Sequence, residues 1–141
     1  MPEETARAID ADGYLHSGDL GTVDEDGYYR VTGRIKDMII RGGENLSARE
    51  IDDNLVGCPG VGESATIGMP DDRLGERICT FVAPLGDTVP TLESVTAYLE
   101  GEGAPKRLWP ERIEIIDEIP KTLMGKVRRN VLTDELAARM A

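Results

Sequence analysis

Four groups of residues in this chain carry usable chemistry, and the outermost two lie more than a hundred positions apart. Gly125 and Lys126 stand in a basic segment with Arg128 and Arg129. A lysine is a compact point charge that can bridge a carboxylate and a phosphate as charge builds between them. An exposed lysine at a helix start is the plain alternative. The pair is not a phosphate loop, which needs a glycine five residues before Gly125 and a Ser or Thr after the lysine; Pro120 and Val127 stand there. Arg34 offers a planar fork suited to oxygen-rich ligands, or a surface salt bridge with Asp37 or Glu50. Asp19 could accept hydrogen bonds from two vicinal ribose hydroxyls, as carboxylates do in other nucleotide sites, or it could cap a turn. Gly42 and Gly43 lack a Cβ, so a ligand could approach their backbone closely; an ordinary hairpin turn would use them equally well. His16, Ser17 and Asp19 have the residue types of a catalytic triad, but neighbours along a strand alternate faces and cannot form one among themselves.

The elements that must position these groups follow from pattern. Residues 1–13 are polar and suit one short helix with little to bury. An Asp-Gly turn around Asp24, Glu25, Asp26 and Gly27 separates two β-prone runs, 20–23 and 28–31, which predicts a hairpin. Met38, Ile39 and Ile40 read as a short strand that leads into the Arg41, Gly42, Gly43 turn. Ser47 and Glu50 match a capping box opening a helix with Ile51 and Leu55 on its apolar stripe. Strands are expected over 63–69, 77–84 and 112–117, with a turn at Pro70, Asp71 and Asp72. Leu92, Val95 and Leu99 share a helix face, and Val131, Leu132, Leu136 and Met140 belong to a final helix. The expected fold class is α+β, a small mixed three-stranded sheet packed with helices and preceded by a β-hairpin.

Composition narrows the function classes. A chain of 141 residues, 40% hydrophobic, supports one core or one core with a short appendage. Its net charge of −11 argues against binding a nucleic-acid backbone. The charge is uneven: residues 1–30 hold eight acids and two bases, whereas 121–141 hold five bases and two acids. The C-terminal end could therefore face an anion. Cys58 and Cys79 lack metal-ligand spacing and read as buried free thiols. A single histidine leaves no histidine-based metal site. No run is apolar and long enough to span a bilayer, so a reducing, cytoplasmic setting is the default. No internal repeat or low-complexity tract stands out.

Three stretches, in order, carry a resemblance: YLHSGDLG at 14–21, GRIKDMIIRGGENLSARE at 33–50 and IPKTLMGKVRRNVL at 119–132. Together they resemble the adenylate-forming enzymes, the group of acyl-CoA synthetases, peptide-synthetase adenylation domains and luciferases. The form RGGEN is similar to the acid–CoA ligase branch. The resemblance implies that residues 1–34 are the tail of a large N-terminal domain and that 35–141 form the mobile C-terminal lid. It implies nucleotide contacts by Asp19 and Arg34, a hinge at Lys36, a CoA-binding turn of Gly42, Gly43 and Glu44, and a catalytic Lys126. Gly68, Pro70, Gly75 and Glu76 match the family as a structural turn. Met124 departs from it, standing where a small polar residue is common. ATP/AMP and coenzyme A are the implied substrates, with Mg2+ accompanying ATP and no metal ligands on this chain. The implied partners are the large adenylation domain, in the same or a separate chain, and CoA or a carrier-protein pantetheine. A lid without its phosphate loop and acyl pocket is expected to be inert alone. A stand-alone lid or a non-catalytic interaction module are the other uses of such a chain.

Overall fold

The computed structural model describes residues 2–141. It opens with a short helix, α1 (Pro2–Ala8), which buries no residue, as its polar sequence dictates. An antiparallel hairpin follows, β1 (Asp19–Val23) with β2 (Tyr29–Arg34), in a register that sets Asp19 opposite Arg34. The stretch before β1 is not a strand; it holds a single bridge between Ile9 and Leu15.

Two turns here are built alike on a five-residue repeat, where no internal repeat was expected. Asp10 Oδ1 accepts from the amides of Asp12 and Tyr14, and Asp24 Oδ1 accepts from those of Asp26 and Tyr28. Each turn closes through a glycine at positive φ, Gly13 and Gly27. The short aspartate side chain substitutes for a backbone acceptor, which is why the pattern Asp-x-Asp-Gly-Tyr folds locally.

A 3-10 turn over Ile35–Asp37 leads into the main body. Its strands are β3 (Met38–Arg41), β4 (Glu44–Ser47), β5 (Val61–Asp71), β6 (Gly75–Pro84) and β7 (Arg112–Ile115). Its helices are α2 (Ala48–Asn54), α3 (Leu92–Gly101) and α4 (Arg129–Met140). The α+β class is as expected, but the sheet has five strands rather than three, in the order β4-β3-β6-β5 with β7 also on β6. The difference has two sources. Residues 44–47, polar apart from Leu46, form β4 because the two-glycine turn folds them back onto β3. β3 then joins the sheet through one pair, Arg41 with Gly75. The β5–β6 turn also lies later than expected: Pro70 and Asp71 still pair with Glu76 and Gly75. A proline is tolerated there because β5 is an edge strand.

β6 is the centre of the core. Its odd positions, Cys79, Phe81 and Ala83, pack with Ala65 and Ile67 of β5 against Leu132 and Leu136 of α4. Ile78, on the other face, joins Ile51 of α2. Leu55, the C-cap of α2, meets Val95 and Leu99 of α3, with Ile113 of β7 packed on them. Helices thus cover both faces, and burial on both faces explains why 78–83 is apolar throughout except for Thr80, whose buried hydroxyl pairs with that of Thr66. The two thiols fall in different clusters and stay free. Burial pushes both up, Cys79 to about 12.

One edge of β6 is shared by β3 and β7, and carboxylates fill the join. The Ile40 amide donates to Glu76 Oε2 at 2.7 Å, and the Ile78 amide to Glu111 Oε2 at 3.1 Å. Arg41 grips Glu111 bidentately, Nε at 3.0 Å and Nη2 at 2.7 Å. This pairing, ahead of all other causes, holds the Glu111 carboxyl below its ordinary range. A Cβ at Gly68 would come within 2.5 Å of Glu76 Oε1 and displace the carboxylate that receives the Ile40 amide. Removing the Glu111 carboxylate strands the Ile78 amide and the Arg41 fork together. Glu111→Ala is therefore expected to cost about 2–4 kcal/mol in urea unfolding of the chain. Glu111→Gln, which keeps an acceptor for Ile78, should lose less than half of that.

Candidate functional site

Lys126 sits on a loop tied at its root. Lys121 and Val127 form an isolated bridge, and the Thr122 amide donates to the Lys126 carbonyl at 2.8 Å. The Gly125 amide closes back on the Thr122 carbonyl at 2.9 Å, with Gly125 at φ +78. A side chain at that φ would be strained, so the glycine is what lets the loop turn immediately before the lysine. The Lys126 amide donates to Thr122 Oγ1 at 3.2 Å. Its ammonium makes no ion pair with any described residue. Leu123 and Met124 at the loop tip are exposed.

The hairpin register brings Asp19 and Arg34 together, with Arg34 Nε donating to Asp19 Oδ1 at 2.9 Å. Asp19, rather than Asp37 or Glu50, is thus the partner of Arg34. One Asp19 oxygen and the two terminal nitrogens of Arg34 remain without partners among the described residues. His16 and Ser17 take no part in a triad: His16 Nε2 contacts Asp10 Oδ2 at 2.8 Å, and Ser17 Oγ accepts from the Asp19 amide.

These residues meet in one cleft of about 1060 Å3. Asp19 and Arg34 contribute from the hairpin, Lys36 and Asp37 from the 3-10 turn, and Gly125 and Lys126 from the tied loop. Three further arginines, Arg49, Arg128 and Arg129, line it. A cleft with two carboxylates and six basic side chains favours an anion with a polar, hydroxyl-bearing part.

Gly42, Gly43 and Glu44 lie elsewhere. The two glycines, at φ +57 and +86, form the two-residue turn of the β3–β4 hairpin, and Glu44 pairs with Arg41. Positive φ at both central positions is the type I′ geometry that suits hairpin twist. The turn is anchored by the Gly42 amide on the Leu74 carbonyl at 2.8 Å. Ser47, at the other end of β4, lines the cleft; the two candidate sites are therefore separated by a four-residue hairpin, roughly 13 Å of strand.

Sequence reasoning missed the residue that ties the cleft to the core. Arg129, the first residue of α4, donates from Nη2 to Asp52 Oδ2 at 2.6 Å and from Nε to the Thr66 carbonyl at 3.0 Å. Its Nη1 lies 3.8 Å from Asp37 Oδ2. The segment reads as basic, but partners 63 and 77 positions away leave no local signal. Burial pushes the Asp52 carboxyl up to about 6, against the opposing pull of Thr66 and Arg129. Among the described residues no group of three or more His, Cys, Asp or Glu could hold a metal ion. No described helix is long and apolar enough to cross a membrane.

The chain is similar to several known proteins. A family described as AMP-binding enzyme C-terminal domain matches residues 50–126. The medium-chain fatty-acid–CoA ligase of Escherichia coli is 42% identical over 99% of this chain and 25% of that protein. The fatty acid–[acyl-carrier-protein] ligase ScoC of Streptomyces coeruleorubidus is 40% identical over 95% of the chain and 25% of its own length. ATP-bound MatB from Rhodopseudomonas palustris matches with a TM-score of 0.82 at 37% identity, covering 96% of this chain and 27% of that one. Apo MatB matches the same share with a TM-score of 0.70. The chain spans about a quarter of the length of the curated relatives it matches.

The Asp52 shift sets a pH dependence. Its folded value lies above the ordinary 3.8, so folding takes up a proton through this group. That contribution is complete below about pH 4 and is lost as pH rises through about 6. Asp52→Asn removes it, so the stability of the wild type relative to the variant should be greater at pH 4.5 than at pH 7.5. Thermal melts at the two pH values measure this difference, which is on the order of 2–3 kcal/mol for a shift of about two pH units.

Proposed function

The chain belongs to the AMP-binding enzyme C-terminal domain family, and on that premise we propose that it is the mobile lid of an AMP-forming acid–CoA ligase. The observation that carries this reading is the meeting of Asp19, Arg34, Lys36 and Lys126 in one cleft. In the proposed reaction a carboxylate attacks the α-phosphorus of ATP, giving an acyl-adenylate and pyrophosphate. Lys126 contributes its ammonium between the carboxylate and the α-phosphate as negative charge builds there. Asp19 accepts from the ribose hydroxyls with its free oxygen, and the terminal nitrogens of Arg34 contact the adenylate near ribose and phosphate. Coenzyme A then attacks the acyl carbon through its thiolate, forming the thioester and releasing AMP.

The two half-reactions use different parts of the lid. Lys126 serves the first; the Gly42 and Gly43 turn, with Glu44 beside it, serves the second by giving the pantetheine arm a path past bare backbone. Their separation along the β3–β4 hairpin calls for a rotation between the steps, with Lys36 as the pivot. The two MatB scores support a joint within this segment: this structure superposes better on the ATP-bound state of a relative than on its apo state, at equal identity and coverage. Such a joint divides the chain into residues 1–34, carried by the large domain, and 35–141, the lid. The exposed apolar side chains of the hairpin, Val23, Tyr28, Tyr29 and Val31, support that division, because they lack cover here. Mg2+ that accompanies ATP meets no ligand cluster among the described residues, and no step is assigned to it.

A carrier-protein pantetheine is the second reading for the thiol, favoured by the name of the ScoC relative. Both acceptors would present the same arm to the glycine turn, and rates with CoA and with a pantetheinylated carrier separate them.

Lys126→Ala in the full-length ligase should slow acyl-adenylate formation by about 10²–10³-fold, while thioester formation from supplied adenylate stays near wild type. Equal losses in both steps would count against the assignment. Lys36→Pro fixes φ at the pivot and should abolish the thioester step selectively. The purified 141-residue chain should form no acyl-CoA from acid, ATP and CoA.

A further inference from the structure

Arg129 makes three contacts with three separate elements, and they are not equal. The bonds to the Thr66 carbonyl on edge strand β5 and to Asp52 on α2 are short, 3.0 and 2.6 Å. They fasten the start of α4 to the body of the fold. The third contact, to Asp37, spans 3.8 Å, and its acceptor is the residue directly after Lys36. On the other side, Arg129 follows Lys126 by three residues, and the chain between them has little freedom. The Arg128 amide donates to the Pro120 carbonyl at 2.8 Å, closing the root of the Lys126 loop. One guanidinium therefore stands between the segment read as the pivot and the loop that carries the ammonium.

We propose that Arg129 is a positioning residue that couples the orientation of the hinge segment, through Asp37, to the placement of Lys126 in the cleft. The proposal rests on the readings of Lys36 as pivot and of Lys126 as the adenylation lysine. A guanidinium holds five N–H groups in a rigid fork, so two fixed acceptors leave donors for a third. The Met38 amide closes the 3-10 turn across Lys36 by donating to the Ile35 carbonyl. A change of φ/ψ at Lys36 opens that turn and re-aims the Asp37 carboxylate, at the very edge of the lid, while Asp52 and Thr66 stay fixed in the lid's body. An orientation that brings Asp37 within hydrogen-bond distance gains a charge-assisted bond, and one that withdraws it loses even the present contact. That difference biases the lid toward the orientation in which Arg129 and the Lys126 loop are held together. A purely structural Arg129 would act through Asp52 and Thr66 alone, and Asp37 would not matter to it.

Asp37→Asn separates these roles, because it leaves the Asp52 and Thr66 bonds intact. In the full-length ligase, acyl-adenylate formation is followed by pyrophosphate release, and thioester formation is started from supplied adenylate. Asp37→Asn is expected to slow the first step about tenfold at saturating ATP and acid, in the range of ordinary couplings. The KM values should stay within about threefold, the second step within about twofold, and the melting temperature close to wild type. Arg129→Gln should slow the same step and also lower the melting temperature. The double variant should be no slower than Arg129→Gln alone, since the two act through one contact.

Wild-type adenylation by Asp37→Asn, proportional loss of both steps, or additive losses in the double variant would each overturn the coupling. Lys126→Ala is run beside them. If it adenylates normally, the reading of the lysine falls and the coupling with it. If it is slow while Asp37→Asn is unimpaired, the lysine reading stands and only the coupling fails.

Discussion

The structure depends on how β3 is held to β6. A single backbone pair, Arg41 with Gly75, is too little to fix a four-residue strand. Two carboxylates supply what the ladder lacks, Glu76 receiving the Ile40 amide and Glu111 receiving the Ile78 amide and the Arg41 fork. An edge amide left unpaired at a half-buried join costs as much as a lost hydrogen bond, and a charged acceptor makes the replacement strong. The part of the site carried by the β3–β4 hairpin hangs from that join. β3 and β4 carry the glycine turn at one end, and at the other they meet the pivot segment and Ser47 of the cleft.

Two attachments of different kinds thus define the lid. The glycine turn reaches the core through the carboxylate join, and the lysine loop reaches it through Arg129. Each ties a piece of irregular backbone to β6 or to its neighbour β5, whose side chains are packed on both faces. The cleft is lined mainly by charged and polar side chains, some exposed and some half-buried, and they stay in place because rigid strands and a closed loop set their backbones. That division between a stiff frame and a polar working surface suits the proposed rotation, in which one surface would meet two different partners without repacking.

Much of this was legible in the sequence because it is local. The Asp24 turn and the Leu132 and Leu136 stripe are decided within a few residues and stand as expected, and of the capping box expected at Ser47 and Glu50 the structure shows the Ser47 half. Ser47 accepts from the Glu50 amide. Gly125 before Lys126 was legible for the same reason, since positive φ is a property of one residue. What was not legible is pairing at a distance. β4 escaped notice because Glu44, Asn45 and Ser47 are poor strand formers, and only the turn and β3 make them one. Arg129, Asp52 and Glu111 escaped because a charge does not announce a partner seventy positions away. The three-stranded expectation failed for this reason, and so did the guess that Arg34 would pair with Asp37 or Glu50.

The two Asp-x-Asp-Gly-Tyr turns have a consequence for the order of assembly. Each closes through amides two and four residues from its aspartate, a loop so small that its closure entropy is nearly negligible and its formation takes microseconds. The parallel pairing of β7 with β6 must instead bring together residues some thirty positions apart, with α3 between them. On a growing chain the hairpin can therefore be complete while the lid is still searching for its last strand. Asp19 and Arg34, opposite each other in that hairpin, can thus meet before α4 arrives.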